Sequence, residues 1–187
     1  CDVDTKTELP GRFVAGEDAG GIHGANRLGG NGVANSTVFG GIAGDVMPGW
    51  IAKDGGHRPP DEALIDAEIA RALHPFTKSR GDINAVREGM PNLMWHAVGL
   101  IRDATALKRG LDRLEAMEAD LLASGIADRS RAFNMTWHDW LNLRSQIEVS
   151  KVIALAATKR ENSRGSPYRD DFKEPGDLAT SAYTVVR

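Results

Sequence analysis

Two short stretches near the start of the sequence hold the residue types from which a site for a charged or hydroxylated ligand can be built. In Leu9-Pro10-Gly11-Arg12-Phe13-Val14-Ala15-Gly16-Glu17 a turn leads into a short apolar run, and a glycine and a carboxylate follow where a strand would leave its sheet. A carboxylate there accepts charge-assisted hydrogen bonds from ligand hydroxyls, and the flanking glycine lets the ligand reach the main chain. Further on, Arg27-Leu28-Gly29-Gly30-Asn31-Gly32 runs into the more apolar stretch 33–44, so a glycine turn feeds a helix start. The free N–H groups and positive dipole end of such a helix attract an anion. On spacing alone, tight turns that bind nothing are an equally good reading, because glycine loops before helices are common.

Other chemistry is harder to assemble. The five histidines, His23, His57, His74, His96 and His138, show no HxxxH or HExxH pairing, so no metal site is expected. A single cysteine allows no intrachain disulfide and points to a reducing compartment. At the head of the chain Cys1 has a free amine to act as its base, as N-terminal nucleophiles do, but nothing downstream resembles an amidohydrolase core. Trp137, His138 and Trp140 read as core packing of an amphipathic helix rather than a stacking platform. The mixed-sign residues Lys108, Arg109, Asp112, Arg113, Glu115, Glu118 and Asp120 read as a solvated helix face.

These residues need elements to position them, and composition divides the chain near residue 60. The 187 residues are 41% hydrophobic and 26% charged, enough for a globular core. A net charge of −3 argues against a nucleic-acid partner. No apolar run nears the ~20 residues of a bilayer span, and the start lacks the basic and apolar regions of a signal peptide. Before residue 60 the sequence suggests a short strand at 13–15, a glycine-rich segment over 16–32, a helix over 33–44, a turn at Met47-Pro48-Gly49 and a linker over 55–60.

Helical periodicity dominates after residue 60. Leu64, Ile65, Ile69, Ala72 and Leu73 define a helix after Asp61 that ends at Pro75. A second starts at Asp82, with Pro91 able to kink it. Leu107, Leu111, Leu114, Met117 and Leu121 define a third, with Thr105 as its cap and Gly125 as its stop. The fourth, over 136–162, places Trp140, Leu143, Ile147 and Ala154 on one face. The tail is polar, with a strand suggested at Tyr183-Thr184-Val185-Val186.

At these motifs the sequence resembles the flavoprotein subunit of the succinate dehydrogenase and fumarate reductase family, which includes L-aspartate oxidase. The resemblance rests on the Leu-Pro-Gly-x-Phe-x-Ala-Gly-Glu stretch and on His23-Gly24-Ala25-Asn26-Arg27-Leu28-Gly29-Gly30-Asn31. It extends through Met94-Trp95 and Val98-Gly99 to Ser163-Arg164-Gly165-x-x-Tyr168-Arg169-x-Asp171. It covers nearly the whole chain but only the C-terminal third or so of such an enzyme. The GxGxxG fingerprint, the histidine some members link to FAD, the capping domain and the proton-donating arginine lie upstream of the match.

The fold so implied is mostly α: residues 1–60 form the glycine-rich α/β end of an FAD-binding domain, and residues 61–187 a C-terminal helical bundle with an extended tail. The resemblance gives Glu17 a hydrogen bond from the sugar or ribityl part of FAD, and Arg27 a substrate carboxylate. Backbone N–H groups around Asn31, Gly32 and Val33 would face flavin N1 and the C2 carbonyl. His23 would stabilise the loop by a hydrogen bond rather than move a proton.

Gly32 departs from the serine common in the family, Pro167 replaces a usual histidine, and the stretch 17–27 is about one residue shorter. Arg164 and Arg169 would bind a partner or anion, or tie the tail to the FAD domain by salt bridges, the simpler role. The implied activity is hydride transfer between a dicarboxylate and flavin N5 in the intact protein, with succinate and fumarate the default pair. The alternatives are an L-aspartate oxidase or a non-catalytic helical docking module. This chain alone is expected to be inactive and not to hold FAD tightly. Implied partners are the remainder of the flavoprotein and the dicarboxylate, with an iron–sulfur subunit and a homodimer left open. The expected location is cytoplasmic, with attachment to the inner face of the membrane through partners left open.

Overall fold

The structure, a computed structural model, describes residues 1–56 and 59–185. His57 and Val186, both part of the sequence reading, lie outside the described residues. The fold is mostly α, with five helices among the described residues, and it divides into two compact units, Cys1–Pro60 and Asp61–Arg187. No helix among those residues is long and apolar enough to cross a membrane.

In the first unit the strand expected at 13–15 does not form. Phe13 makes one antiparallel bridge with Lys6 inside a tight hairpin, closed by Thr7 N–H to Arg12 O (3.0 Å) and Val14 N–H to Thr5 O (2.9 Å). Thr5, at φ 66°, turns its segment out of extended geometry, and a strand exists only where a neighbour pairs along it. Helix α1, Asn31–Asp54, runs ten residues past Gly44 and takes in Met47-Pro48-Gly49, where a turn was expected. Pro48 lacks an N–H and its ring crowds the carbonyl four residues back, yet Trp50, two residues on, is anchored. Its ring meets Phe13 edge-on at 6.0 Å, and its indole lies 3.0 Å from where a Cβ on Gly11, at φ 82°, would stand.

The second unit holds α2 (Glu62–Leu73), α3 (Ile83–Ala97), α4 (Ala104–Ala123) and α5 (Met135–Lys159). Each starts on a short polar side chain that accepts from the first-turn amides: Asp61 from Ala63 and Leu64, Asp82 from Asn84 and Ala85, Asp103 from Ala106, Asn134 from Trp137. The cap of α4 is thus Asp103 and not Thr105, which lies inside the first turn. Pro91 is accommodated within α3, and α5 ends at Lys159, short of Asn162.

Helices α3, α4 and α5 share one core, in which Leu107, Leu114, Leu121, Trp140 and Ile147 are fully buried. Leu111, expected beside them, is only partly buried at its edge. Small residues set the α3–α4 spacing: a Cβ on Gly110 would stand 3.1 Å from Val98 and 3.2 Å from Ala97. The tryptophans belong to this packing, as expected. The Trp140 indole donates to Leu121 O at 3.1 Å and Ser124 O at 3.0 Å, and that of Trp137 to Ala72 O at 2.7 Å. Helix α2 forms where expected but buries none of its residues; Leu64, Ile65 and Ile69 are 62%, 41% and 52% exposed. It is held at its C-terminal end, by the Trp137 bond and by His74 beside Trp140.

No strand forms at 183–185; the tail instead pairs much earlier. Strand β1, Ile101–Arg102, lies parallel to β2, Tyr168–Arg169. Arg169 drives this arrangement. Its guanidinium forks onto Asp171 with two 2.7 Å contacts, and its Nη1 donates to Ala157 O and Arg160 O, each at 2.8 Å, at the end of α5. Asp171 also accepts from Ala104 N–H at 2.8 Å, the first residue of α4. The salt bridge of Arg169 therefore closes within the helical unit, onto Asp171. Arg164 donates to Pro175 O and to Asp177 O, pinning the following turn in the same unit.

Two outcomes are expected. Leu114→Ala should lower stability by about 2–5 kcal/mol through cavity formation, whereas Arg109→Lys on the exposed face should change it by under about 0.5 kcal/mol; urea melts of the two variants check this, and equal shifts would show that the buried face is another one. The second outcome concerns acid. The Arg169 hydrogen bonds, foremost, hold the Asp171 carboxyl at about 2, below its ordinary 3.8. A folded-state value below the unfolded one gives stability that is present above the unfolded value and lost as pH falls through the folded one. Circular dichroism should show the helical unit weakening between about pH 4 and pH 2, while Asp171→Asn should start weaker at pH 7 and lack that part of the acid dependence.

Candidate functional site

The expected site residues lie in the first unit, around the start of α1. Gly16–Asp18 form a 3-10 turn entered through buried Gly16 at φ 73°, closed by Ala19 N–H to Gly16 O at 3.1 Å. A Cβ on Gly16 would stand 2.9 Å from Ser36 Oγ on α1, so glycine is needed for both its conformation and its contact. Ser36 Oγ in turn donates to Gly32 O at 3.0 Å. The turn thus presses on the second turn of α1 and leaves Glu17 exposed at its rim.

Helix α1 begins from Gly30 at φ 83°, with no side chain among the described residues capping its amides. Asn31 N–H is taken by Leu28 O at 3.3 Å. Gly32 and Val33 follow in the first turn, whose N–H groups have no partner within a helix. The Arg27 guanidinium lies directly over Gly32, in the space a Cβ there would need. Added Cβ atoms on Gly29 and Gly30 would meet nothing within 4 Å among the described residues, which leave the approach to this helix start open.

The structure therefore brings Arg27 to Gly32 at the helix start and Gly16, the neighbour of Glu17, to Ser36. Glu17 and Arg27 form no ion pair with each other among the described residues. His23 is half-buried, and its Nε2 stands 3.4 Å from Asn35 Nδ2. Sequence reasoning missed Asn35. It is 6% exposed and donates to Gly16 O at 3.1 Å, linking the 3-10 turn and the His23 loop to α1. The available signal was an amide side chain one turn into a helix opened by glycines, a position where a small apolar residue would otherwise be expected.

A family model described as the fumarate reductase flavoprotein C-terminus matches residues 87–187, more than half of the chain. The chain belongs to the succinate dehydrogenase and fumarate reductase flavoprotein family. It is 35% identical over 180 residues to the succinate dehydrogenase flavoprotein subunit of Coxiella burnetii, covering 95% of this chain and 30% of that protein. An uncharacterized FAD-dependent oxidoreductase of Methanocaldococcus jannaschii is 34% identical over 176 residues, again 30% of its length. Among solved structures, a mutant E. coli quinol fumarate reductase superposes with a TM-score of 0.82 at 28% identity, over 95% of this chain and 31% of that one. The chain thus spans under a third of the length of these family members. The first-unit residues lie outside the family model's range but inside much of the stretch shared with the relatives.

Proposed function

We propose that this chain is the C-terminal part of an FAD-dependent dicarboxylate oxidoreductase, with Glu17, Arg27 and the amides at the start of α1 serving cofactor and substrate. The observation that carries the reading is the open, uncapped start of α1 with the Arg27 cation laid over it. A cation at the positive end of a helix is unfavourable by itself, and it pays only where an anion comes between. These residues fit the flavin end of FAD. Its N1 and C2 carbonyl are acceptors that gain negative charge on reduction, and the first-turn amides at Gly32 and Val33 are donors with glycine approaches. When bound, FAD supplies a hydride acceptor or donor at flavin N5. The chain's own residues bind and orient: Arg27 takes a substrate carboxylate with its forked donors, and Glu17 accepts from a sugar or ribityl hydroxyl.

The residues 1–60 are, on this reading, the end of an FAD-binding domain and 61–187 the helical domain of the same enzyme. The remaining partners are the rest of the flavoprotein, the dicarboxylate, and an iron–sulfur subunit as electron acceptor. The first unit contributes contacts only to the flavin and ribityl portions, too few to capture free FAD against the entropic cost of binding. The 187-residue chain should therefore purify colourless and reduce no dicarboxylate; absorbance and flavin fluorescence on adding FAD check this, and tight stoichiometric binding would overturn the reading of it as a part.

In the intact flavoprotein Arg27→Ala should lose about 2–4 kcal/mol of transition-state stabilisation while keeping its flavin. Turnover by steady-state assay with unchanged rates on succinate or fumarate would refute the assignment of Arg27.

A further inference from the structure

We infer that Asn35 is a positioning residue that fixes the tautomer of His23, so that the ring offers a hydrogen-bond donor, and no lone pair, on its side away from α1. The argument starts from Gly16 O, which can only accept. The amide atom of Asn35 at 3.1 Å from it must therefore be Nδ2, a donor. The same Nδ2 has a second hydrogen, and His23 Nε2 is the group 3.4 Å away. That ring nitrogen must accept, so the neutral ring carries its proton on Nδ1. Turning the amide over would set two oxygens face to face at Gly16.

The other half of the amide supports this orientation. Asn35 Oδ1 is buried and has no hydrogen-bond partner among the described residues. An unpaired buried acceptor is costly, and the orientation that leaves it so is the one in which Nδ2 serves two acceptors. One side chain thereby connects three segments: the Gly16–Asp18 turn that presents Glu17, the loop from His23 to Arg27, and the body of α1. In an imidazole the two nitrogens face opposite sides of the ring. With Nε2 turned to α1, the Nδ1–H faces away from it.

This inference rests on the proposed function only for its consequence: a ring so held can donate to a ligand oxygen, a substrate carboxylate or a flavin carbonyl, and cannot take a proton there as a base. The test of the tautomer needs no ligand. In the 187-residue chain labelled with nitrogen-15, long-range proton–nitrogen spectra should show His23 with Nδ1 protonated and Nε2 bare. Asn35→Asp replaces the donor by an acceptor and should move the proton to Nε2, and Asn35→Ala should release the ring toward the Nε2–H form that free histidine favours. A wild-type ring already protonated on Nε2, or one unchanged in Asn35→Asp, would overturn the inference, and the wild-type measurement decides even if a variant fails to fold.

In the intact flavoprotein, His23→Asn puts an amide N–H near the Nδ1 position and should retain most of the turnover, whereas His23→Gln mimics Nε2 and should lose it by tenfold or more. Equal loss in both would overturn the donor role. An unaltered Arg27→Ala enzyme, by contrast, would sink the dicarboxylate reading and leave the Asn35–His23 tautomer standing.

Discussion

The helical unit depends on one ion pair that is also a double helix cap. The Arg169 side chain is 3% exposed, and it reaches Asp171 with both arms of its fork and three carbonyls at the end of α5 with Nη1. Those carbonyls are the unpaired, partly negative end of a 25-residue helix, and a guanidinium answers both their geometry and their sign. Asp171 passes the neutralisation on to the opposite kind of end, the amide of Ala104 at the start of α4. One charge pair thus fastens the exit of α5, the entry of α4 and the β1–β2 pairing. Removing Asp171 leaves the buried guanidinium of Arg169 without its counter-charge, which in general costs about 3–5 kcal/mol, whereas Asp171 is 28% exposed and meets solvent when Arg169 is removed. Lysine cannot substitute, because a single ammonium does not span a carboxylate fork and a row of carbonyls together.

Around this pair the local charge is crowded, and the main chain absorbs it. Arg102 is held below its ordinary pKa by burial, then by the nearby guanidinium groups of Arg160 and Arg169. It settles by donating Nε to Val98 O and Gly99 O. Arg160 does likewise, giving one arm to Arg164 O and Nε to Asn162. Three like charges coexist because each donates to backbone oxygen, and Arg169 is also neutralised by Asp171. That arrangement gives donors to carbonyls at helix ends and in the loops beside them.

How much of this was legible in sequence follows from where the information sits. The α4 and α5 faces were legible because Leu107, Leu114 and Leu121, and Trp140, Leu143 and Ile147, repeat at helical steps, and burial rewards that period directly. Aspartates before helix starts were legible at Asp61 and Asp82; at α4 two cap-competent residues stood two apart, and geometry chose Asp103. The targets of Arg169 were not legible, because carbonyls carry no signature in the sequence. Nor was the pairing of β1 with β2, two residues each and 67 positions apart. At the candidate site the glycine spacing announced a helix start, and the start is there. The end of α1 was misread because Pro48 and Gly49 are turn residues by propensity, and the tertiary anchor at Trp50 outweighs propensity.

The two units are specified by different means, and the difference bears on function. The helical unit places its large side chains in a close-packed core, which makes its geometry stiff. The first unit buries mainly small or polar residues, Gly16, Ala19, Asn35, Ala43 and Thr5, while Val33, Val38 and Ile51 are exposed. With little apolar burial to fix it, its shape is set by backbone conformations that only glycine adopts cheaply, at Gly16 and Gly30, and by the hydrogen bonds of Asn35 and Ser36. Such a unit leaves donors, Arg27 and the amides of Gly32 and Val33, without internal partners among the described residues. A core built to satisfy every polar group would have consumed them. On the proposed reading, the unmet polarity at the start of α1 is the cost of presenting a site, and the contacts of Asn35 with Gly16 O and His23 keep the turn and loop around it in register with the helix.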